Sequence, residues 1–250
     1  MADIGFHSVG IAIGLPLGGR PTSPLWGLAL ATQSYPLNTS IQYVAVQKVE
    51  VGEARNQIVE WAIQNNATYV FFVDDDVILP PFAGQRLGRA LDFTSKELYP
   101  DETTMVSCGI YFSKEELTTP VIFKKNGQGA AWDWKLGDIF EVESAGTGCM
   151  MIRTEVFKHL EKPYFKTVEE YVDKDGQVAG CRMMTDDIYF CEKVNKAGFK
   201  ILAHGGVLCG HYDVKKDKIY SIPEDSYPVK AAKEAELKEK EQRDALEASD

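Results

Sequence analysis

The stretch that decides the fold is Tyr69-Val70-Phe71-Phe72-Val73-Asp74-Asp75-Asp76. Its first five residues are all β-branched or aromatic and none is charged. Such a run predicts a strand buried on both faces, as the strands of parallel sheets are. In open sheets of this kind, ligands bind outside the carboxyl ends of the strands. The three aspartates therefore stand where a ligand is expected.

The residues before this stretch alternate between apolar runs and helical patterns. Val9–Ile13 and Ile41–Val46 predict strands, and Gly52–Asn65 has apolar residues at the spacing of one helix face. The pair Ser23-Pro24 predicts the capped start of another helix between the two strands. Strand, helix, strand, helix, strand at this spacing predicts right-handed βαβ units. We therefore expect an α/β fold with a doubly wound, mostly parallel sheet flanked by helices.

The residues after the aspartates give a more mixed pattern. We expect a helix over Asp186–Ala197, closed by Gly198, and a shorter helix over Thr154–Leu160. The further strands that we predict are Met105–Tyr111, Val121–Lys124, Ile139–Val142, Cys149–Ile152 and Phe199–Ala203. We divide the chain into one domain over residues 1–213, with a nucleotide half to about residue 111 and a smaller acceptor half over residues 112–213, and a charged, helical tail over residues 214–250.

The composition is that of a globular domain with an acidic balance. Of the 250 residues, 44% are apolar and 26% are charged, and the formal net charge is −10. Nucleic-acid-binding proteins favour clustered Lys and Arg, so this charge argues mildly against DNA, although a local basic groove can coexist with an acidic total.

The cysteines and the N-terminal stretch bear on location. There are five cysteines, an odd number, and no pair has the C-x-x-C spacing, which predicts buried, reduced thiols. The apolar stretch Val9–Leu17 is interrupted by Pro16 and by glycines, no basic residue precedes it, and it is too short to span a membrane. We therefore predict a cytoplasmic protein without a membrane span.

The three aspartates suggest a metal site. Adjacent carboxylates repel one another unless a cation or hydrogen bonds compensate. Hard oxygen ligands of this kind suit Mg²⁺ or Mn²⁺, commonly shared with the phosphates of a substrate. The alternative is an acidic surface turn, which would gain nothing from following a buried strand.

Two other segments could serve the same ligand. Arg55 and Asn56 lie in the first turn of the predicted helix, where free N–H groups favour anions. Arg55 could bind phosphate or could pair with the aspartates. The small-residue loop Glu143–Cys149 permits close backbone approach to a ligand, or is simply a tight connection.

Later residues supply candidates for a base and for a metal ligand. Thr185-Asp186-Asp187 precedes a helix, and two acids at one cap exceed what capping requires, so one of them could act as a general base. His211 is of interest only as a further ligand to an ion held by the aspartates. Trp132 and Trp134 could stack on a sugar or a base, or could belong to the core.

Taken together, these motifs resemble those of the A-type (GT-A) glycosyltransferases, especially small family-two-like enzymes of bacteria and phages. The matching stretches, spread over residues 8–213, are Gly52-Glu-Ala-Arg-Asn-Gln-Ile-Val59, Tyr69-Val-Phe-Phe-Val-Asp-Asp-Asp-Val77, Gly146-Thr-Gly-Cys-Met-Met-Ile152, Thr185-Asp-Asp-Ile-Tyr-Phe-Cys191, Ala197-Gly-Phe-Lys-Ile201 and Cys209-Gly-His211.

The resemblance implies roles for the acids. The D-x-D motif of these enzymes falls on Asp74 and Asp76. The last acid would bind the metal that bridges the donor diphosphate, and the first would lie near the ribose. Asp75 takes the variable middle position and could assist. The catalytic base falls on Asp187, next to Asp186, where the family usually has glutamate.

The resemblance also implies roles outside the acids. Arg55 and Asn56 would lie close to the nucleotide, and His211 would be the late metal ligand. The loop from Pro16 to Pro21, which contains Arg20, would hold the base and ribose. The implied cofactors are Mn²⁺ or Mg²⁺ and a nucleotide-sugar donor, with UDP-glucose as the default.

The implied reaction moves a hexose from the donor to an acceptor hydroxyl. Asp187 would take the hydroxyl proton, and inversion is the outcome of that scheme; a retaining enzyme of the same fold would not use Asp187 in this way. Possible acceptors are a modified DNA base, a polysaccharide or a protein. The rival interpretations are a nucleotidyltransferase, for which Gly18-Gly19-Arg20 is a thin phosphate loop, and a non-catalytic protein that binds sugar or nucleotide.

Overall fold

The computed structural model describes residues 9–35, 38–91, 103–174 and 177–247. Its centre is a seven-stranded sheet. In the order in which they lie side by side, its strands are β2 (Thr39–Gln47), β1 (Val9–Leu17), β3 (Tyr69–Val73), β9 (Cys149–Arg153), β5 (Thr104–Ile110), β12 (Lys200–Leu208) and β7 (Ile139–Val142).

Most strands of this sheet point the same way. β1 pairs in parallel with β2 and β3, and β5 pairs in parallel with β12. β9 lies between β3 and β5 and is antiparallel to both, and β7 is antiparallel to β12. β1, β2, β3, β5 and β12 therefore share one direction. The predicted α/β class with a mostly parallel sheet is confirmed.

Helices cover both faces of the sheet. Along the fully buried β3, Val70 and Phe72 belong to one core layer, which includes Ile58 and Phe190 from two helices. Phe71, like its neighbours at alternate positions, faces the opposite layer. The helices of the described chain are α1 (Pro24–Ala31), α2 (Val51–Gln64), α3 (Ala83–Arg89), α4 (Asp186–Lys196) and α5 (Tyr227–Glu247).

Smaller sheets lie outside the main one. A three-stranded sheet has the order β14-β13-β4, and β6 pairs with β8 and β10 with β11. These strands are β4 (Val77–Ile78), β6 (Ile122–Phe123), β8 (Ser144–Ala145), β10 (Val168–Lys174), β11 (Gln177–Met184), β13 (Gly210–Asp213) and β14 (Lys218–Tyr220). β14 lies beyond residue 213, where we placed the domain boundary, and packs against the domain through β13.

The structure differs from the predictions in several places, and α3 and the short strands β4, β8, β13 and β14 were not predicted. Thr154–His159 is a 3₁₀ helix rather than an α-helix, because so short a segment has room for little more than one turn. β12 continues past its predicted end at Ala203 to Leu208. Beyond the two glycines, its pairing with β5 resumes at Leu208 after a shift of register. The hairpin of β10 and β11 was not predicted.

The remaining predictions concern the cysteines and the membrane. Cys108, Cys149, Cys191 and Cys209 are buried, free thiols, as predicted. Cys181 lies on β11, where the side chain is outside the described part of the structure. In the described residues, each helix is too short or too polar to cross a membrane.

Candidate active site

Segments that follow four strands of common direction meet at one edge of the sheet. They are Gly18–Arg20 after β1, Asp74–Asp76 after β3, Tyr111–Lys114 after β5 and Cys209–His211 after β12. The carboxyl ends of parallel strands lie at the same edge, which is where open α/β sheets bind ligands. The fold thus brings together residues that are up to almost 200 positions apart in sequence.

Arg55 lies at the centre of one group of charges, which we call the Arg55 cluster (Arg55, Asp74 and Asp186). Its side chain is only 4% exposed. Nη2 donates to both carboxylate oxygens of Asp74, at 2.8 and 2.9 Å, and Nη1 donates to Asp186. Of the two roles that the sequence left open for Arg55, the structure has it pairing with acids.

Close packing of two helices makes this cluster possible. Arg55 is on α2 and Asp186 begins α4, and the two helices approach each other at Gly52. A Cβ atom at residue 52 would lie 3.2 Å from the Cβ of Asp186 and 3.0 Å from an oxygen of Glu50. Glycine at this position leaves the space that lets the guanidinium reach both carboxylates.

Burial governs the electrostatics of the Arg55 cluster. It raises the pKa of Asp74 and of Asp186, although Arg55 acts in the opposite direction on both. Burial also works against the charge on Arg55, but the two carboxylates outweigh it and raise the pKa of the guanidinium. Arg55 therefore stays charged, and the two acids compete for a single cation.

A second group surrounds the last aspartate, and we call it the Asp76 cluster (Asp76, Arg20, Lys114 and His211). Oδ2 of Asp76 accepts hydrogen bonds from Arg20 Nη2 and from Lys114 Nζ, both at 2.5 Å, and lies 3.6 Å from His211 Nε2. Burial alone would raise the pKa of Asp76, but the neighbouring His211 and the hydrogen bond from Lys114 hold it well below its ordinary value.

Asp75 ties the loop after β1 to this cluster. Its side chain is buried and accepts from the backbone N–H of Gly18 at 2.7 Å. It also accepts from Nε and Nη2 of Arg20, at 3.2 and 3.0 Å. The three aspartates thus have three different sets of partners.

The backbone and a carbonyl group fix His211 opposite Asp76. β13 pairs with β4, which sets His211 beside Val77, and Tyr212 N donates to Asp76 O at 2.7 Å. His211 Nδ1 lies 2.7 Å from the Phe112 carbonyl oxygen, which can only accept, so Nδ1 carries a proton. In the neutral ring, Nε2 then turns a lone pair towards the Asp76 carboxylate.

This arrangement has the chemistry of a cation site. When the ring is neutral, Nε2 and the Asp76 carboxylate each turn an electron pair towards the other, 3.6 Å apart. One Mg²⁺ ion could bond to both, because this separation is less than twice the Mg²⁺–oxygen bond length of about 2.0–2.1 Å. A carbonyl acceptor for the other ring nitrogen is the usual support of a metal-bound histidine. Among the described side chains, five carboxylates meet three permanent cations here, a formal charge of −2. The five are Asp74, Asp75, Asp76, Asp186 and Asp187, and the three are Arg20, Arg55 and Lys114.

The predicted ligand set is only partly assembled. Within the described ranges, no group of three or more His, Cys, Asp or Glu residues is placed to hold a metal. Asp76 and His211 face each other, whereas both oxygens of Asp74 accept from Arg55. The residues present fit a divalent cation through their charge and through one pair of ligands.

Asp187, the predicted base, lies half-buried in the first turn of α4. Its Oδ1 accepts from the Thr185 hydroxyl and from Ile188 N, the latter at 2.8 Å. Burial raises the pKa of Tyr111 well above its ordinary value, and the charges of Asp74 and Asp187 raise it further. Asp187 therefore shares its surroundings with Asp74.

Other predicted residues have structural partners. The Asn56 side chain donates to Phe165 O at 2.8 Å and accepts from the N–H groups of Tyr164 and Phe165 at 3.0 Å, so it anchors that segment. Pro16, which we expected in the loop that holds the nucleotide, is instead buried in β1 opposite Val46, because the parallel pairing of β1 with β2 continues to Leu17. Thr185 is the N-cap residue of α4, but its hydroxyl makes no capping bond.

The two predicted stacking residues differ in exposure. Trp134 is 2% exposed, packs against Phe140 and donates Nε1 to Ala131 O, so it belongs to the core. Its predicted alternative, stacking on a ligand, is excluded by burial. Trp132 is half-buried and packs against Phe112 with ring centroids 6.2 Å apart.

Sequence reasoning missed three residues of the site. Lys114 contacts Asp76, the Tyr111 ring lies 5.1 Å from that of His211, and Trp26 Nε1 donates to the Asp74 carbonyl at 2.8 Å. Lys114 and Tyr111 could have been proposed, because they stand at and just past the end of a predicted strand. No signal in the sequence places Trp26 there.

Comparisons with known proteins support the fold. No protein-family model matches the sequence, and no curated protein matches it. Among solved structures, A197 from STIV is similar, with a TM-score of 0.55 and 18% identity over 86% of this chain and 94% of that chain. At this identity the likeness concerns the fold alone.

A further solved structure is more distant. A structure of GalNAc-T7 with UDP, GalNAc and Mn²⁺ gives a TM-score of 0.49 and 11% identity, over 81% of this chain. This chain covers 43% of that one. A likeness of this size says nothing about what this chain binds.

Proposed function

We propose that this chain is a metal-dependent glycosyltransferase of the GT-A type, which moves a sugar from a nucleotide diphosphate sugar, with UDP-glucose as the first candidate, to an acceptor hydroxyl. The support comes from two sources. The sequence motifs resemble those of such enzymes, and the described sheet, with its acids at the carboxyl edge, is consistent with a single GT-A-like domain.

The observation that carries the proposal is the pairing of Asp76 with His211. These residues are 135 positions apart, and β4, β13 and the Phe112 carbonyl bring their side chains to 3.6 Å in a site where five carboxylates meet three permanent cations. An acidic surface turn would not need this support from three segments.

The donor would bind beside the Asp76 cluster, next to the loop after β1 that carries Arg20. Asp76 and His211 would hold a divalent ion, which when bound neutralises charge on the diphosphate leaving group. Arg20, whose side chain is 47% exposed, and Lys114 contact Asp76 in the described state. Both can turn to phosphate oxygens without unfolding anything, because each is on a loop.

Asp187 would act as the base. Two hydrogen bonds to Oδ1 orient its carboxylate, which can take the proton of the acceptor hydroxyl as that oxygen attacks the anomeric carbon. Asp186 is less suited to this role because it is buried and paired with Arg55. Transfer by this route inverts the anomeric centre.

Thermal unfolding with UDP, UDP-glucose and Mn²⁺ tests the proposal. A ligand that binds only the folded state stabilises it by RT ln(1 + [L]/Kd), about 2.7 kcal/mol at a hundredfold excess over Kd. We expect Tm to rise with a UDP compound and Mn²⁺ together, and expect Asp76→Asn to abolish the rise. Asp133→Asn, at a surface acid 76% exposed, is the matched control and should keep it.

The same samples separate the rival enzyme class. A transferase slowly hydrolyses the nucleotide sugar to UDP and free sugar, whereas a nucleotidyltransferase releases pyrophosphate from a nucleoside triphosphate. If no nucleotide changes Tm with or without metal, the proposed function is wrong.

A further inference from the structure

A cavity of about 590 Å³ lies beside the candidate active site. One wall is the loop that follows β5, from Glu116 to Thr119, and the opposite wall is the turn before α5, from Pro223 to Tyr227, with Trp132 between them. None of the four residues of the Asp76 cluster lines it. Its volume is in the range of pockets that hold small ligands.

The lining combines aromatic rings, hydroxyls and carboxylates. Trp132 is half-buried, and Tyr227 is 54% exposed. Glu116 and Asp225 contribute carboxylates, and Thr118 and Ser226 contribute hydroxyls that donate to the Glu115 and Pro223 carbonyl groups and can still accept a hydrogen bond. Among the described lining residues there is no Lys or Arg.

This chemistry distinguishes between ligand classes. Aromatic faces offer flat apolar surface, and carboxylates are strong acceptors for hydroxyl donors. A neutral sugar carries both complementary features, whereas phosphate groups would meet two lining carboxylates; the nearby cation Lys216 interacts with Glu116 but is not among the lining residues. The cavity therefore suits a neutral carbohydrate and disfavours a nucleic acid.

The cavity and the active site share a wall. The loop between them is closed by Ser113 N donating to Thr119 O at 2.7 Å and by Thr119 N donating to Ser113 Oγ at 3.0 Å. This loop carries Lys114 to Asp76 on one side and Thr118 to the cavity on the other. On the inner side, Trp132 packs against Phe112, whose carbonyl group accepts from His211.

From this placement we infer that the cavity is an acceptor subsite for a neutral carbohydrate. The inference rests on the proposed function, and it narrows the acceptor to a glycan rather than a DNA base or a polypeptide. The reacting hydroxyl would be on a sugar unit next to the one held in the cavity, since the shared loop separates the cavity from the acids.

Direct binding tests this inference without any donor. Neutral maltose-, cellulose-, chitin- and mannose-type tetrasaccharides are titrated into the full chain, with binding followed by calorimetry. We expect at least one series to bind and expect Tyr227→Ala to weaken it about five- to tenfold, from the loss of one stacked ring. Tyr43→Ala is the matched control, because Tyr43 on β2 is also 54% exposed and does not line the cavity.

Three results would overturn the subsite. The first is that none of the four tetrasaccharide series binds the chain. The second is that Tyr43→Ala and Tyr227→Ala weaken sugar binding equally. The third is that the chain binds a single-stranded oligonucleotide or an unglycosylated peptide in preference to the sugars. A further variant, Asp225→Asn, should weaken sugar binding while Tm stays unchanged.

Failure of the acceptor-subsite inference can be distinguished from failure of the proposed transferase function. Tyr227→Ala should keep the increase in Tm with UDP and Mn²⁺ and the slow hydrolysis of donor, while the KM for the glycan acceptor rises. Nucleotide binding without sugar binding would overturn the cavity inference alone. Sugar binding without any effect of nucleotide would overturn the transferase and, with it, the role of the cavity as an acceptor subsite.

Discussion

Asp74 and Asp76 are two residues apart at the end of one strand, yet they belong to clusters of opposite character. Asp74 is held in the Arg55 cluster by a guanidinium that is 4% exposed. Asp76 is held by Arg20 and Lys114, whose side chains are 47% and 23% exposed, and by His211. Burial of the partner thus separates an acid that is fixed in an internal ion pair from one whose partners can be exchanged for a ligand.

The largest expected change in the free energy of unfolding comes from removing the buried cation, Arg55. Arg55→Met leaves Asp74 and Asp186 without their partner, and breaking a buried ion pair in this way costs about 3–5 kcal/mol. Urea unfolding measures the change. Arg20→Met, at a half-exposed partner, should cost about 1 kcal/mol or less. Similar losses for the two variants would contradict the distinction between the clusters.

A second prediction concerns Tyr111, whose ring packs against His211 of the Asp76 cluster. A Cβ atom at residue 146 would lie 1.8 Å from the hydroxyl oxygen of Tyr111 and 2.6 Å from its Cζ atom. Gly146→Ala should therefore destabilise the protein by about 1–3 kcal/mol, since the buried ring must move.

Two further variants test this cause. Adding Tyr111→Phe to Gly146→Ala should recover part of the loss, because it removes the closest atom. Gly27→Ala, on α1 with no atom within 4 Å of the added Cβ, should be neutral or stabilising. If Gly146→Ala is as harmless as Gly27→Ala, Tyr111 does not pack against residue 146 as described.

The metal-free clusters should also respond oppositely to pH. The pKa of Asp76 lies below its ordinary value, so its charge stabilises the folded state above the unfolded pKa of about 3.9, and that contribution is lost as pH falls through the folded pKa. The pKa of Asp74 is raised by burial, so its charge destabilises the folded state at neutral pH, and this cost disappears as pH falls.

The measurement is urea unfolding from about pH 7 to about pH 3. The loss of stability caused by Asp76→Asn should shrink at the acid end. Asp74→Asn should become less favourable, relative to the wild type, over the same range. The same pH trend for both variants would show that the two acids are in equivalent environments.

The smallest expected effect is on the affinity for Mn²⁺, and it comes from removing a cation that pairs with Asp76. Lys114→Met removes one competitor for the carboxylate, so Mn²⁺ alone should bind about fivefold more tightly, the equivalent of about 1 kcal/mol. Calorimetric titration with Mn²⁺ measures it. Lys124→Met, at a surface pair with Asp133, is the control. Unchanged affinity in Lys114→Met would show that Lys114 does not compete with the ion.

The comparison of sequence and structure is clearest in the first half of the chain. The apolar run over 69–73 and the helix over 52–65 have patterns that burial alone explains, and both form as predicted. The hairpin of β10 and β11 was missed. β10 and β11 lack a continuous apolar run like the one in β3, so their local sequence pattern does not predict strands.

The site shows a similar division. The acids, Arg55 and His211 could be singled out because carboxylates, a helix-start arginine and a late histidine are chemically conspicuous. In sequence, only its position just past a predicted strand distinguishes Lys114 from other lysines, and Asn56 resembles a nucleotide contact until its three bonds to residues 164 and 165 are seen. Whether a polar side chain faces a ligand or its own backbone depends on segments far away in the chain.

By itself, the sequence determined the α/β class, the strand ending in Asp74–Asp76 and the chemical types at the sheet edge, because hydrophobic period and residue chemistry are local properties. Only the tertiary structure decided that Arg55 takes Asp74 and Asp186, while Arg20, Lys114 and His211 gather at Asp76. The physical reason is that burial and charge pairing depend on which segments meet in space. The β4–β13 pairing and the close approach of two helices at Gly52 set those meetings, and neither is written in any single stretch of the chain.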